Sequence, residues 1–222
     1  MAERSPRLLL IEGLELLEVR ASAQQLEILN SFIEELLIWS QAFNLTSKAS
    51  PSEIIREHIL DSSFIADFLP KNGRFVDLGS GAGFPGIVIG AMCPSRKVVL
   101  VESRRKKANF LKAVLRKIKI DNIEVFEGRV ESFAKATISG ERFDVATTRA
   151  TWGIHHFLVL SGPLLKNGGL AVTMQGPKVE IKGESSVENS FHADYQFDKV
   201  KKYYLPFTSK RRYLLTYKRC FT

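Results

Sequence analysis

Residues 75–86 read FVDLGSGAGFPG, so that three alternating glycines follow an apolar segment that ends in an acid. Glycine has no Cβ and adopts positive φ at little cost, so Gly79, Gly81 and Gly83 let the backbone turn sharply and approach a ligand closely. Pro85 fits the first turn of a helix, whose free N–H groups would face that ligand. The run therefore predicts a nucleotide-cofactor loop between a strand and a helix.

Two kinds of cofactor fit this loop. Gly81, Gly83 and Gly86 match the dinucleotide pattern G-x-G-x-x-G. Asp77 and the three alternating glycines match the D-x-G-x-G-x-G pattern of enzymes that use S-adenosylmethionine (SAM). The SAM pattern fits better, because in the dinucleotide pattern the first glycine follows the strand at once, whereas here Asp77 closes the strand. Asp77 is then expected near the methionine end of the cofactor.

A second acid follows the next apolar segment. Residues 98–101 read VVLV and end at Glu102. An acid about 20 residues beyond the loop meets the ribose hydroxyls of the cofactor in such folds. Since both cofactors carry a ribose, Glu102 predicts a cofactor contact without choosing between them.

Composition sets limits on the class of protein. The chain has 222 residues, enough for one domain with an appendage, and 45% of them are hydrophobic. The longest apolar stretches are too short to cross a bilayer, and Glu12 interrupts the early run Leu8–Ile11. Cys93 and Cys220 show neither paired spacing nor a nearby histidine pattern. We therefore expect a cytoplasmic protein with no membrane partner and no metal site.

The net charge of +8 is unevenly distributed along the chain. Residues 1–74 hold 7 Lys/Arg and 11 Asp/Glu, whereas residues 75–222 hold 25 and 13. A basic field of this kind suits a partner with a dense phosphate backbone, since each neutralised phosphate releases counterions. Basic surfaces also occur for solubility alone, so the composition permits a nucleic-acid partner without requiring one.

Hydrophobic periodicity divides the chain into two parts. Apolar residues recur at helical spacing over residues 23–39, and a capping box at residues 50–53 predicts a second helix from Pro51 to about Phe68. The break at residues 70–73 ends this part. We thus predict an N-terminal helical appendage over 1–73 and a cofactor domain over 74–222.

The cofactor domain alternates short apolar β-branched runs with helical stretches, which is typical of a parallel sheet wrapped by helices. A helix is predicted over residues 103–118, and two aromatic-rich segments near the end of the chain indicate a hairpin. The predicted strands are 74–78, 97–102, 122–127, 142–147 and 169–174, with the hairpin over 195–205 and 211–218.

Ligands of open α/β sheets bind at the carboxyl ends of the strands, so the residues after each strand are informative. The third strand is followed by residues 128–131 (GRVE) and the fourth by residues 147–150 (TTRA). No Asn/Asp-Pro-Pro-aromatic motif for an exocyclic amine follows the fourth strand, and no cysteine stands there for a covalent adduct. A substrate atom that is already nucleophilic, such as N7 of guanine, would need neither device.

Several basic residues could bind phosphates. Arg104, Arg105 and Lys106 open the helix after Glu102, and Arg211 and Arg212 open the last strand. A solvated helix face and a charged sheet edge explain the same residues equally well. Trp152, His155 and His156 follow Arg149 and could line a base pocket.

Taken in order, these motifs resemble a bacterial methyltransferase family once called glucose-inhibited division protein B, which modifies N7 of a guanine in small-subunit ribosomal RNA. The resemblance runs nearly the full length. The first two of its motifs are specific, because they lie in the appendage and are not expected of every SAM enzyme. The matching residues are FNLTS (43–47), HILDS (58–62), DLGSGAGFPG (77–86), RVE (129–131) and RA (149–150).

The resemblance implies the fold and substrate of a class I SAM-dependent methyltransferase. The fold would be Rossmann-like, with a mostly parallel seven-stranded sheet and an N-terminal helical appendage. The substrate would be guanine 527 in the 530 loop of 16S ribosomal RNA, presented as free RNA, in the small ribosomal subunit or in an assembly intermediate. The protein would act as a monomer.

The resemblance also assigns site residues. SAM would be held by Gly79, Phe84, Glu102, Val130 and Glu131, together with the loop residues Asp77, Gly81 and Gly83. Arg149 would serve both as a cofactor contact and as the catalytic residue. Asn44, His58 and Asp61 would join the appendage to the mouth of the site, with Asn44 and His58 facing the RNA.

One position departs from the family pattern. The chain has Met174-Gln175-Gly176 where the family carries a lysine before the glycine. Loss of that cation should affect RNA contact more than SAM binding. Two alternatives stay open: an RNA-binding assembly factor that senses SAM without using it, and a nicotinamide-dependent enzyme.

Overall fold

The centre of the molecule is one twisted sheet, seen in a computed structural model that describes residues 5–42, 45–46, 50–137, 140–149, 151–176 and 194–220. Its strands are β1 (Gly73–Leu78), β2 (Arg96–Glu102), β3 (Ile123–Glu127), β4 (Phe143–Arg149), β5 (Leu165–Gln175), β6 (Tyr195–Tyr204) and β7 (Arg211–Arg219). They lie in the order β3-β2-β1-β4-β5-β7-β6. β1 to β5 pair in parallel, and β7 runs antiparallel to both of its neighbours. The predicted mostly parallel, seven-stranded α/β fold is confirmed.

Helices cover the sheet and form the N-terminal part of the chain. Within the described residues they are α1 (Pro6–Leu16), α2 (Ala23–Ala42), α3 (Pro51–Ile54), α4 (Leu60–Phe68), α5 (Gly86–Met92), α6 (Arg105–Ile118), α7 (Val130–Ala136) and α8 (Ile154–Ser161). A π-helical turn, Ile55–Ile59, joins α3 to α4. A 3-10 turn, Gly162–Leu164, leads from α8 into β5.

The helix predicted from Pro51 to Phe68 is present, and its capping box is formed. Ser50 Oγ accepts a hydrogen bond from the Glu53 N–H, and the Glu53 carboxylate accepts one from the Ser50 N–H. These reciprocal bonds satisfy two backbone groups that a helix start leaves open. The π-helical turn in the middle of this helix was not predicted.

Two elements differ from the sequence prediction. α1 was missed, although Ser5 caps it and Pro6 opens it. β5 begins at Leu165, whereas the prediction began it at residue 169. The sequence Asn167-Gly168-Gly169 resembles a turn, but in the structure it continues the strand, with Gly168 at φ +75°.

The N-terminal helices share a hydrophobic core with one face of the sheet. Phe32 of α2 packs on Phe84 of the glycine loop, with ring centroids 5.2 Å apart. Trp39 of α2 meets Phe110 of α6 edge to face at 5.6 Å. One cluster of buried residues thus continues from α1 through the sheet. The division at residue 73 stays a prediction, and the packing fixes the position of the appendage over the loop.

Helix length and hydropathy bear on membrane contact. Within the described part of the chain, none of the helices combines the length and the apolar character that a membrane span requires.

Candidate cofactor and substrate site

Two adjoining cavities lie at the carboxyl ends of β1, β2 and β4. The larger cavity has a volume of about 500 Å³ and the smaller cavity about 190 Å³. Gly79, Ser103 and Trp152 border both. The larger is lined by Leu45, Thr46, His58, Gly79, Ser80, Gly81, Ala82, Phe84, Glu102, Ser103, Arg104, Lys107, Arg149, Thr151 and Trp152. The smaller is lined by Gly79, Val101, Ser103, Gly128, Arg129, Val130, Glu131, Trp152 and Leu160.

A more spacious groove of about 780 Å³ lies away from the loop, beside α1 and the start of α2. Leu14, Val19 and Leu26 line it, with Glu15 and Glu18 also present. It lies outside the strand ends at which open α/β sheets bind ligands. The cavity pair at the glycine loop is therefore the candidate site.

The glycine loop connects β1 to α5 at the wall of the larger cavity. Gly79 has φ +68°, and a Cβ there would lie 2.9 Å from Thr151 Cγ2 and 3.1 Å from Trp152 Cη2. Gly81 has φ +58° and borders the larger cavity. A side chain at either position would strain the backbone and block the approach of a ligand.

Glu102 ties the loop to the start of α6. Its side chain is buried, and its two carboxylate oxygens accept hydrogen bonds from the N–H groups of Gly81, at 2.8 Å, and Arg104, at 2.7 Å. Each oxygen keeps a further lone pair, so the carboxylate can still accept from a ligand hydroxyl. The position fits the ribose contact predicted for Glu102.

Asp77 supports the loop from beneath rather than from the cavity. Its Oδ2 accepts from the Gly86 N–H at 3.1 Å and its Oδ1 from the Thr147 hydroxyl at 3.3 Å. Burial raises the pKa of Asp77 to about 7. It lines neither cavity, so its contact with the cofactor stays a prediction. The N–H of Gly86, expected to face a ligand, is bound to Asp77 instead because α5 begins directly above that carboxylate.

Arg149, His58 and Phe84 form a cluster in the larger cavity. Arg149 Nη1 lies 2.9 Å from His58 Nδ1, and its guanidinium carbon lies 5.0 Å from the centre of the Phe84 ring. The His58 and Phe84 rings are 5.0 Å apart. Burial and the charge of Arg149 lower the pKa of His58 to about 3, so the imidazole is neutral.

A buried polar network holds the terminal hairpin against this cluster. Tyr203 donates to Asp61 Oδ1 at 2.5 Å, and Arg212 Nε lies 3.5 Å from Asp61 Oδ2. Arg212 also pairs with Glu57 at 3.2 Å, and so does Lys210 at 2.5 Å. Burial raises the pKa of Asp61, while its hydrogen bonds and the nearby arginines act against that shift. The network connects the π-helical turn and α4 to β6 and β7.

The residues predicted to bind RNA occupy different settings. Arg104, Arg105 and Lys106 are exposed at the start of α6, and Arg104 borders the larger cavity. Arg211 is exposed and lies over the Tyr213 ring. The Arg212 side chain is only 16% exposed and bridges Glu57 and Asp61. Arg212 therefore holds the hairpin in place, and its contact with RNA stays a prediction. Asn44 lies outside the described residues.

Other predicted and unpredicted residues surround the cavities. Val130 and Glu131 line the smaller cavity, and their contact with the cofactor stays a prediction. Trp152 borders both cavities, with its ring parallel to that of His156 at 6.2 Å, and its place in a base pocket stays a prediction. Ser103 and Thr151 were missed, although Ser103 directly follows β2 and Thr151 lies two residues after β4. Gln175 donates to the Thr173 hydroxyl at 2.8 Å.

The sheet order, the glycine loop and the cavity pair define a class I SAM-dependent methyltransferase fold. The chain is similar to the O-methyltransferase from Bacillus cereus in complex with SAH, with a TM-score of 0.61 and 12% identity over 85% of this chain and 91% of that one. It is also similar to M. jannaschii TYW2 in complex with AdoMet, with a TM-score of 0.55 and 14% identity. This match covers 73% of this chain and 76% of that one. At these identities the likeness concerns the fold alone.

Sequence comparison defines the family. The model of the GidB family, described as rRNA small subunit methyltransferase G, matches residues 25–217. A ribosomal RNA small subunit methyltransferase G of Polynucleobacter asymbioticus is 37% identical over 189 residues, 83% of this chain and 84% of the relative. The methyltransferase G of Desulfitobacterium hafniense is 34% identical over 164 residues, which cover 74% of this chain and 68% of the relative. The chain belongs to the GidB family and is a SAM-dependent methyltransferase.

Proposed function

We propose that this protein transfers a methyl group from SAM to N7 of a guanine in 16S ribosomal RNA. The family match over residues 25–217 carries the proposal. The two adjoining cavities at the glycine loop support it, because the smaller cavity and one side of the larger can take a cofactor while the rest of the larger cavity can take a base. The modified guanine would be guanine 527 in the 530 loop.

The residues of the two cavities suit the parts of SAM. Val130, Leu160 and Trp152 offer apolar surface for an adenine in the smaller cavity. The Glu102 carboxylate, which borders the larger cavity, has lone pairs for ribose hydroxyls. The backbone of Gly79 and Gly81 allows close approach on the methionine side. Phe84, Glu131 and Arg149 complete the set that we propose to hold the cofactor.

Bound SAM supplies a methyl group on a positively charged sulfur. The N7 lone pair of guanine is already free, so the protein has no proton to remove and needs no general base. Its side chains agree with this, because His58 is neutral with its Nδ1 beside Arg149 and is poorly suited to take up a proton. The role left to the protein is alignment of the base, which we assign to Arg149.

The RNA would be held at the rim of the larger cavity. Arg104 borders this cavity, Arg105 and Lys106 follow it as exposed residues at the start of α6, and Arg211 opens β7. Cations of this kind bind the phosphate backbone and fix its position without reading sequence. We further infer that the protein acts as a monomer in the cytoplasm, on the small ribosomal subunit or on an intermediate of its assembly.

Transfer of labelled methyl groups from SAM tests the proposal. The substrates are 30S subunits and deproteinised 16S RNA from cells that lack the modification, followed by reduction and aniline cleavage to locate 7-methylguanine. We expect strand scission at a single guanine, and the two substrates show which form is recognised. SAM binding without methyl transfer to either substrate would contradict the proposal and favour an assembly factor that senses SAM. Tight NADH binding that SAM does not displace would favour the nicotinamide alternative.

A further inference from the structure

The contacts of His58 bear on which of its ring nitrogens carries the proton. Nδ1 lies 2.9 Å from Arg149 Nη1 and 3.0 Å from the carbonyl oxygen of Glu57. A guanidinium is always protonated and has no acceptor, so it can only donate to this nitrogen. A proton on Nδ1 would set two donors against each other at 2.9 Å. The carbonyl oxygen of Glu57 favours the opposite tautomer, because an Nδ1–H group would donate to it at 3.0 Å. Arg149 Nη1 also reaches that oxygen, at 3.5 Å, so it can donate to both acceptors when Nδ1 carries no proton. This arrangement favours a proton on Nε2.

The Nε2–H group is available to a ligand. His58 is half-buried and borders the larger cavity. Its hydrogen bonds within the described residues involve Nδ1 alone. Arg149 also borders this cavity, and its hydrogen bonds within the same part of the chain involve only Nη1. The cavity therefore presents two donors side by side, a neutral N–H and a guanidinium.

We propose that His58, held as the Nε2–H tautomer by Arg149, donates a hydrogen bond to O6 of the guanine to be methylated. This inference rests on the proposed function. On the outer edge of guanine, O6 and N7 are both acceptors, whereas adenine presents an N6 amino donor beside its N7. In guanine, two donors directed at O6 leave N7 free for methyl transfer. In adenine, the N6 amino group takes the place of O6, so it would face these two donors as a third donor. The pair selects guanine over adenine.

The tautomer is tested first, and without any substrate. Two-dimensional ¹H–¹⁵N spectra of the uniformly ¹⁵N-labelled protein distinguish Nε2–H from Nδ1–H imidazoles. The chain has four histidines, so the spectrum of His58→Gln assigns the signal of His58. We expect an Nε2–H ring for His58 that does not titrate between pH 5 and about 8. An Nδ1–H ring, or a ring that becomes charged in this range, overturns the inference.

Two variants then test the hydrogen bond to the base. His58→Phe keeps a ring but removes the donor, whereas His58→Gln places an amide N–H near the position of Nε2. On undermethylated 30S subunits we expect His58→Phe to lower kcat/KM by about tenfold to a hundredfold, because a buried acceptor is left unpaired. His58→Gln should stay within about fivefold of the wild type. Circular dichroism and thermal unfolding confirm that both variants are folded.

Two further measurements separate this inference from its alternatives. The SAM dissociation constant should change by less than about threefold in His58→Phe, since the donor serves the base. A rise that matches the loss of kcat/KM would show that Nε2–H binds the cofactor and would overturn the inference. On subunits reconstituted with adenosine at the target position, the preference for guanosine should fall in His58→Phe. An unchanged preference would overturn the inference, whereas failure of the wild type to methylate guanosine would contradict the proposed function itself.

Discussion

The two halves of the site are assembled in different ways. The half that we propose to bind the cofactor, called the cofactor half, is formed by main-chain groups of one loop, fixed by Glu102 and Asp77 from the ends of neighbouring strands. The half that we propose to bind the base, called the substrate half, is formed by side chains that are distant in sequence. His58 meets Arg149 across 91 residues, and Asp61 meets Tyr203 across 142. The first half depends on backbone shape and the second on tertiary packing, so they should respond differently to mutation.

The largest expected effect is on the cofactor half. Gly81→Val should abolish SAM binding, because a β-branched residue at φ +58° is strained and its side chain would enter the larger cavity. Isothermal titration calorimetry measures the loss. Gly153→Ala is the matched control, since Gly153 has φ −62° and no atom of the described residues lies within 4 Å of an added Cβ. Retained SAM affinity in Gly81→Val would show that this loop does not bind the cofactor.

The second prediction concerns the buried acid beneath the loop. The pKa of Asp77 is about 7 in the folded state and 3.8 in the unfolded chain, so the folded state binds the proton more tightly. The free energy of unfolding should therefore fall as the pH rises from about 4 to about 7, by up to about 4 kcal/mol from this group. Urea titrations across this range measure it. Asp77→Asn should lack this component of the slope, and parallel curves for the two proteins would refute the assignment.

The third prediction tests the packing that supports the substrate half. Asp61→Ala should lower the free energy of unfolding by about 3 kcal/mol, since it leaves Arg212 and the Tyr203 hydroxyl without this partner inside the protein. Methyl transfer should fall, while SAM affinity stays within about threefold. The control is Asp67→Ala on the same helix, whose exposed ion pair with Lys71 contributes less than about 1 kcal/mol. If the two substitutions lowered the free energy of unfolding equally, the buried network would contribute no more to stability than an exposed ion pair.

The smallest effect is expected at the rim. Arg105 is exposed at the start of α6, so Arg105→Ala should weaken binding to 16S RNA about threefold and reduce the slope of log affinity against log salt by about one. Lys97, exposed at the opposite end of β2, serves as the control and should leave the slope unchanged on substitution. Filter binding at several salt concentrations measures both. A slope altered equally by the two substitutions would point to a diffuse basic surface.

The cofactor half was largely predictable from the sequence because its determinants are local. The glycine spacing and the acid that closes β1 lie within a few residues of the loop that they specify. The capping box at residues 50–53 was predictable for the same reason, although its helix belongs to the other half. The parallel strands were predictable because buried strands form continuous apolar runs. β5 was misjudged at its start because Gly168 in a turn-like sequence continues the strand.

The substrate half was not predictable in the same way. The sequence gives no sign that Arg212 bridges Glu57 and Asp61, about 150 residues away, instead of facing solvent. The position of Trp152 between the two cavities was also not apparent from the sequence, because it depends on how the chain leaves β4. Charge and aromatic character were visible for both residues. Their partners become apparent only once the strands are ordered in the sheet.

The π-helical turn between α3 and α4 interrupts the regular hydrogen bonding of a helix at the position of two site residues. Such a turn contains one residue more than the α-helix it interrupts and has less favourable hydrogen bonds, and these turns are frequent at functional sites. In this chain it spans Ile55–Ile59, and thus contains both Glu57 and His58. A sequence optimised for helix stability alone would remove the extra residue. The helix would then be regular, but the residues before and after the removed position would turn relative to each other by about 100°, the rotation per residue of an α-helix.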